Sequence, residues 1–255
     1  MELIEGRICV EAALTARQRQ VRLIVVRQGL HPQRLTGLLR MAEERGVPVK
    51  FAPAEEINAL ARGKTHGGVV ALAGPKPALP LEWLLQELRR KSCPALLLLE
   101  GVDDSQNLGF VLRSAEALGM DAVLLKKHLW EYDGTAVSRA SSGAYERLPL
   151  VRLEQVDQEL PRLKRLGCAL WGCVAGARRT IYEVDLRRPV IVAIGGEKRG
   201  LSAALRRQCD GLVSIPMVSP VGSLALSQAA AVVMAEVMRQ RLLSASGRAV
   251  AESKT

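Results

Sequence analysis

Apolar residues along the chain alternate between helical and strand-like spacing from the first residues onward. Glu5–Leu14 reads as a short helix and VRLIVV, Val21–Val26, as a buried strand. Over Gln33–Arg45 the positions Leu35, Leu38, Leu39 and Ala42 share one helical face, and Gly46 ends the run. Val47–Phe51 reads as a strand, Pro53 suits the first turn of a helix reaching Leu60, and Gly68–Ala73 is a further strand. The pattern predicts a small α/β domain over residues 1–73.

GPKPALP, Gly74–Pro80, holds three prolines and a glycine and cannot be regular structure, so it reads as a linker. An amphipathic helix, Leu81–Arg90, follows and is broken at Cys93-Pro94, which makes residues 74–93 a linker and connecting helix. Strands are then expected at Ala95–Leu99, Ala122–Leu125, Ala169–Val174, Val190–Ile194 and Gly211–Ile215. Helices are expected at Leu108–Leu118, Glu154–Leu166, Ser202–Gln208 and from about Ser223 to Leu243. Near-continuous apolar runs such as PALLLLE belong in a parallel sheet covered on both faces. Residues 94–245 are thus expected to be a second α/β domain, and the small, polar residues 246–255 a flexible tail.

Composition narrows the partners. With 48% hydrophobic and 24% charged residues the 255-residue chain can build a core, and no apolar run approaches the roughly 18 residues of a membrane span. The five cysteines are scattered without a Cys-x-x-Cys pair and the three histidines lie far apart, which argues against a metal site or disulfide framework and fits a reducing cytoplasm. Net charge is +10, and Ala12–Ala42 contains no acid but six arginines, among them Arg17, Arg19 and Arg22. That is the footprint of a polyanion partner, because nucleic-acid affinity begins with phosphate neutralisation. Aromatics are only 3%, so base-stacking platforms are not expected to dominate.

Three segments carry candidate chemistry. In EGVDDSQNLGFVLRSAEALG, Glu100–Gly119, a strand ends, polar turn residues follow and a helix starts. Asp104, Ser105 and Asn107 read equally as helix caps or as a site at the carboxyl end of a strand, where α/β sheets bind ligands. In VIVAIGGEKRGLS, Val190–Ser202, a buried strand enters a glycine-rich turn. The turn is no P-loop, since Leu201 follows Gly200, and no dinucleotide fingerprint, since Gly195 and Gly196 are adjacent. In SIPMVSPVGSLALSQAAAVVMAEVMRQ, Ser214–Gln240, a strand gives way to a proline-punctuated loop and a small-residue helix suited to close packing within the chain or against a second copy.

Taken in order, Asn107-Leu-Gly109…Arg113, Gly195-Gly-Glu197-Lys-Arg-Gly200 and Ile215-Pro-Met217…Ser223-Leu-Ala-Leu-Ser227 resemble the three motifs of the SpoU/TrmH class of SPOUT RNA methyltransferases. Ser138–Leu150 is similar to that family's Ala-Ser-x-Gly-Ala segment, and Gly63–Leu72 to the end of its N-terminal RNA-binding domain. The resemblance implies an α/β protein with a small N-terminal RNA-binding domain and a C-terminal parallel-sheet SPOUT domain tied in a trefoil knot. It departs from the family at Ser105, where proline is usual, and at Ala225, where the family has asparagine.

The activity implied is methyl transfer from S-adenosyl-L-methionine to a ribose 2′-hydroxyl of structured RNA, with rRNA favoured, tRNA the alternative, and a homodimer formed through the C-terminal domain. No metal and no membrane take part in this reading. By the family pattern Arg113 is the principal catalytic residue, with Asn107, Glu197 and Ser223 supporting it. A guanidinium with a pKa above roughly 12 is a poor base, so Arg113 is read as a clamp on the RNA phosphate that orients the hydroxyl, with Glu197 open as proton acceptor. Gly172, Cys173, Gly195, Gly196, Ile215, Met217 and Leu224 are expected at the cofactor, and Arg17, Arg19 and Arg22 at the RNA. Two other classes compete: an RNA-binding assembly factor with little turnover, which Ala225 favours, and a nucleotide-binding oxidoreductase, which the missing fingerprint disfavours.

Overall fold

The computed structural model describes residues 1–102, 104–126, 132–218 and 223–252, with side chains to residue 243. The chain divides into two compact units. The first joins Met1–Pro77 with Leu108–Arg113 and Tyr132–Leu148, and the second comprises Ala78–Asn107, Ser114–Glu131 and Pro149–Thr255.

The first unit is built on a four-stranded sheet of order β1-β4-β2-β3, from β1 (Glu2–Glu5), β2 (Val21–Arg27), β3 (Val49–Ala52) and β4 (Val69–Ala73). β4 runs antiparallel to β1 and β2, and β3 lies parallel to β2. Three helices cross over between these strands: α1 (Arg7–Ala16), α2 (Pro32–Glu44) and α3 (Ala54–Leu60). Ile4, Val10, Ile24, Val26, Leu35, Leu38 and Ala71 form one core cluster. Val25, Ala52, Ile57 and Val70 form another. Glu5, expected to open the first helix, is instead the last residue of β1. Gly6, at φ +93°, turns the chain between strand and helix in a conformation that side chains resist.

Part of the expected C-terminal domain also belongs to this unit. On α5 (Ser105–Ala117), a Cβ added at Gly109 would stand 2.5 Å from Ala140 Cβ of α6 (Gly134–Ala140). One at Gly143, which precedes α7 (Ala144–Arg147), would stand 2.7 Å from Ala12 Cβ of α1. A buried polar network completes the junction. The Arg19 guanidinium donates to both carboxylate oxygens of Glu146, at 2.8 and 2.5 Å, and also to Glu2, while Ser138 Oγ donates to Glu146 at 2.7 Å. Arg19 and Lys76 both lie over the Tyr145 ring, 5.7 and 5.3 Å from its centroid.

Two expectations are corrected here. Arg19 is not a surface cation available to RNA: its side chain is 1% exposed and its donors are spent on carboxylates. Arg17 and Arg22 are exposed. The expected linker is not free chain either. Lys76 is buried, donating to Gln18 Oε1 and to the Glu146 carbonyl, so the first unit extends past residue 73 to Pro77.

The second unit is a seven-stranded parallel sheet of order β7-β6-β5-β10-β8-β11-β9. Its strands are β5 (Ala95–Leu99), β6 (Ala122–Lys126), β7 (Leu150–Leu153), β8 (Ala169–Cys173), β9 (Arg179–Thr180), β10 (Val190–Ile194) and β11 (Gly211–Ser214). β5, β6 and β10 are almost wholly buried, as their unbroken apolar runs require. From β5 the chain adds β6 and then β7 on one side, and later returns to lay β10 on the other. The sheet therefore reverses its order between β5 and β10, the kind of place where open α/β sheets bind ligands. The expected linker helix is α4 (Leu81–Leu88), whose Leu81, Leu84 and Leu88 enter the core with Leu160 and Leu163 of α8 (Val156–Lys164). α9 (Ala203–Gln208) follows the glycine turn. α10 (Leu226–Glu252) runs into the segment expected to be a tail from residue 246, as far as Glu252.

Candidate functional site

At the carboxyl ends of β8, β10 and β11 the second unit encloses a cavity of about 380 Å³. Its wall includes Cys173, Ile194–Glu197, Ile215, Met217, Ser223, Leu224 and Ala229, with Arg199 and Arg206 beside them. Residues of two sequence motifs thus meet around one space. Of the residues expected at the cofactor, Cys173, Gly195, Gly196, Ile215, Met217 and Leu224 line it, and of the four expected in catalysis Glu197 and Ser223 do. The stretch 219–222, between Met217 and Ser223, lies outside the described residues.

Gly172 does not line the cavity. It is buried in β8, where an added Cβ would meet Cys209 Sγ and Leu212 Cδ2 at 2.8 Å, so its glycine serves packing between neighbours. Gly195 has a similar reason. A Cβ there would fall 1.9 Å from the Gly200 carbonyl carbon, because the loop folds back on itself through the Gly200 N–H to Gly196 carbonyl bond of 2.8 Å. Gly196 in turn packs on Gly101, which follows β5. The paired glycines are required first by the loop's own closure, and that closure places their backbone in the cavity wall.

Two carboxylates hold this loop. Glu197 Oε1 accepts from the Leu226 N–H at 2.9 Å, joining the glycine turn to the first residue of α10, where negative charge is favourable. Glu100, at the end of β5, accepts from the Ser202 amide at 2.6 Å and hydroxyl at 2.7 Å, and from the Lys126 ammonium. Burial pushes the Glu100 carboxyl up, but Lys126 and the two Ser202 donors outweigh it and hold the group below the usual carboxylate range. Glu100 was not among the residues singled out from sequence. Its signal was a lone charge ending the apolar run PALLLLE. Cys173 contributes a neutral thiol, since burial raises it to about 11.

Asn107 and Arg113 do not line the cavity. Asn107 sits in the first turn of α5, its amide donating to the N-cap Asp104 at 2.7 Å and its side chain at 3.2 Å. The capping explanation of Asp104 and Asn107 therefore holds in this structure, whatever else Asn107 does. Arg113 is exposed further along the helix and has no ion pair among the described residues.

Around the cavity the lining is mainly apolar, with main-chain groups of the glycine loop and two arginines at its border. It lies within the roughly 300–1,000 Å³ of small-molecule sites. An adenosine fits such a lining: apolar walls for the purine and main-chain groups for its polar edge. Arg199 and Arg206 offer charge to an anionic group.

Comparison with known proteins agrees. Residues 94–235 match the model of the SpoU rRNA Methylase family, and residues 3–78 match that described as RNA 2'-O ribose methyltransferase substrate binding. The chain is 36% identical over 244 residues to a 23S rRNA (guanosine-2'-O-)-methyltransferase RlmB of Pseudomonas putida, covering 94% of this chain and 97% of that one. A crystal structure of an RNA 2'-O ribose methyltransferase superposes with a TM-score of 0.76 at 28% identity, over 94% of this chain and 88% of the other. The SpoU methyltransferase AviRb from Streptomyces viridochromogenes, solved in complex with the cofactor AdoMet, shares the fold with a TM-score of 0.75 at 23% identity, over 94% and 90% of the two chains. With its motifs, its sheet and its cavity in agreement, the chain belongs to the SpoU rRNA methylase family.

Proposed function

We propose that the protein transfers a methyl group from S-adenosyl-L-methionine to a ribose 2′-hydroxyl of rRNA. The observation that carries this reading is the gathering of Gly195, Gly196, Glu197, Ile215, Met217, Ser223 and Leu224, from separate motifs, around one apolar cavity at the strand ends. Ile215, Met217 and Leu224 would hold the purine and the loop main chain its polar edge. Bound there, S-adenosyl-L-methionine supplies an electrophilic methyl on a cationic sulfur.

The chain's own task is positioning, which supplies much of the rate in a displacement needing two reactants in line. Arg113, exposed and without an ion pair among the described residues, is suited to clamp an RNA phosphate beside the reacting ribose and to stabilise the alkoxide that develops. Glu197 keeps the glycine loop on α10 and is the candidate proton acceptor. The relatives named for 23S rRNA support rRNA as the substrate class, with tRNA as the alternative. Ala225, in the place of the family asparagine, supports a second reading: an RNA-binding assembly factor with little turnover.

A homodimer is supported by the apolar side chains that α10 leaves accessible, Leu242 and Leu243 exposed and Ala231, Val232 and Ala235 half-buried. A cytoplasmic setting is supported by five cysteines without a disulfide. No helix of the described residues is long and apolar enough to cross a membrane. The trefoil knot is supported only by membership of the SpoU family.

The test is incubation of the protein with radiolabelled S-adenosyl-L-methionine and total RNA, followed by mapping of any methylated ribose. Arg113→Ala should abolish transfer through kcat and leave calorimetric binding of the cofactor near normal. Transfer by the variant at the parent rate would remove Arg113 from the mechanism. Cofactor binding without transfer by the parent protein would favour the assembly factor.

A further inference from the structure

The first unit holds a second cavity, of about 410 Å³, lined by none of the residues assigned above to methyl transfer. It opens where α1 begins, beside the loop Thr65–Gly67, the start of α2, and α6 with Ser142. Three arginines from three helices border it: Arg7 of α1, Arg34 of α2 and Arg139 of α6. Their commitments differ. Arg7 pairs with Glu11 one turn on, at an exposed site where such pairs hold weakly. Arg139 donates at 2.6 Å to Glu5, whose carboxylate is buried and also accepts the Arg62 and Gly63 amides. Arg34 is exposed and has no ion pair among the described residues.

The rest of the lining is of another kind. Ile8 is 53% exposed at the opening, with half-buried Leu30 and buried Leu35 beside it. An isoleucine left this open costs free energy that a ligand would recover. His66 is already satisfied: its Nδ1 accepts the Gly68 N–H and its Nε2 faces Asn58 Oδ1, so both ring nitrogens are committed to the wall. A lining that combines cationic groups with aliphatic side chains matches a molecule with an anionic end and a flat apolar body.

We propose that this cavity receives one nucleotide of the RNA substrate, turned out of its stack, with its phosphate at Arg34 and Arg7 and its base on Ile8 and Leu30. The proposal rests on the RNA reading above and extends it to a named place, part of whose wall, Arg139 and Ser142, lies outside the residues matched to the substrate-binding model. A base can lie on these side chains only where the RNA is single-stranded or bulged, because a duplex keeps its bases stacked. Charge complementarity selects RNA over a neutral ligand, and the aliphatic lining selects a nucleotide over free phosphate.

The test is fluorescence anisotropy of the full chain with an end-labelled single-stranded RNA of mixed sequence, over a salt series, with the same strand in a duplex as a second arm. Arg34→Gln should lower the slope of log K against log salt by about 0.7, and the affinity roughly fourfold at 0.15 M salt, as loss of one single-strand phosphate contact requires. Ile8→Ala should weaken binding roughly three- to tenfold through lost apolar contact while leaving the slope unchanged. If the parent binds and either variant matches it in both affinity and slope, the cavity is not the nucleotide site, and the RNA reading stands without it. Equal losses on the duplex would overturn the turned-out nucleotide. No binding by the parent at low salt would overturn the RNA reading itself.

Discussion

Lys76 sits buried between Gln18, Glu146 and the Tyr145 ring. Burial pulls its ammonium down to about 8, against the attraction of Glu146 and with Arg19 adding repulsion. Between that value and the ordinary 10.5 the unfolded chain holds the proton and the native protein does not, so this group makes stability rise with pH over that window. Below about 8 both states are protonated and the dependence vanishes. Several buried thiols, raised to about 11, tilt the total profile the other way, so the measurement must be a difference. Urea unfolding of the parent and of Lys76→Met at pH 7, 8.5 and 10 should show any advantage of the variant shrinking as pH rises. A constant difference would mean that Lys76 is not titrating in that range. Such pairings were not legible in the sequence. Arg19 looked like its neighbours Arg17 and Arg22 in an acid-free stretch, and only the fold brings it to Glu146, 127 residues away.

Among the elements, α10 begins just after Ala225, where the family resemblance leads one to expect asparagine. The Ala225 carbonyl accepts the Ala229 N–H at 2.9 Å, which makes Ala225 the residue capping the amino end of the helix, and alanine has no side-chain acceptor for the first amides. Glu197 fills part of that gap by accepting from Leu226. Ala225→Asn should therefore stabilise the protein by about 1 kcal/mol. For a chain of this size that raises Tm by roughly 2–4 °C. Methyl transfer should be unchanged or a few-fold faster, because the start of α10 borders the cavity. A lower Tm would show that Ala225 belongs to a rebuilt site with no room for asparagine. The elements that were legible are those whose local pattern decides them: β5 and β10 have the predicted ends, and α2 and α5 lie within a few residues of theirs. The short β1, β7 and β9, and the helices α6 and α7, were missed. β9 has two residues and exists only through pairing with β11, while α6 and α7 are held by α1 and β1, which no local window contains. Of the site, the paired glycines and the apolar lip could be read from sequence; Glu100 showed only as a lone charge after an apolar run, and its role could not be read because its partner Ser202 is 102 residues away.

For the whole molecule, a cut at the predicted domain boundary would pass through a packed unit. Deleting residues 1–77 removes Arg19 and Lys76, so Glu146 keeps only Ser138 and loses its cationic partner, and Tyr145 loses both cations over its ring. Stripping one side of a buried ion pair costs about 3–5 kcal/mol. The fragment 78–255 should therefore lose hydrogen-exchange protection over residues 132–148. The cavity proposed for the cofactor, lined wholly by the second unit, should still bind S-adenosyl-L-methionine in calorimetry. Full protection of residues 132–148 in the fragment would contradict this division. The family models draw their line differently, at residues 3–78 and 94–235, so the limits of inherited segments and of physical units do not coincide. That difference bears on how such a protein can be recombined. Grafting a foreign N-terminal segment at residue 78 would set a new partner against Glu146 and Gly143 of the host. A working hybrid must carry residues 132–148 along with the N-terminal segment, and Arg19 and Glu146 are expected to change together or not at all.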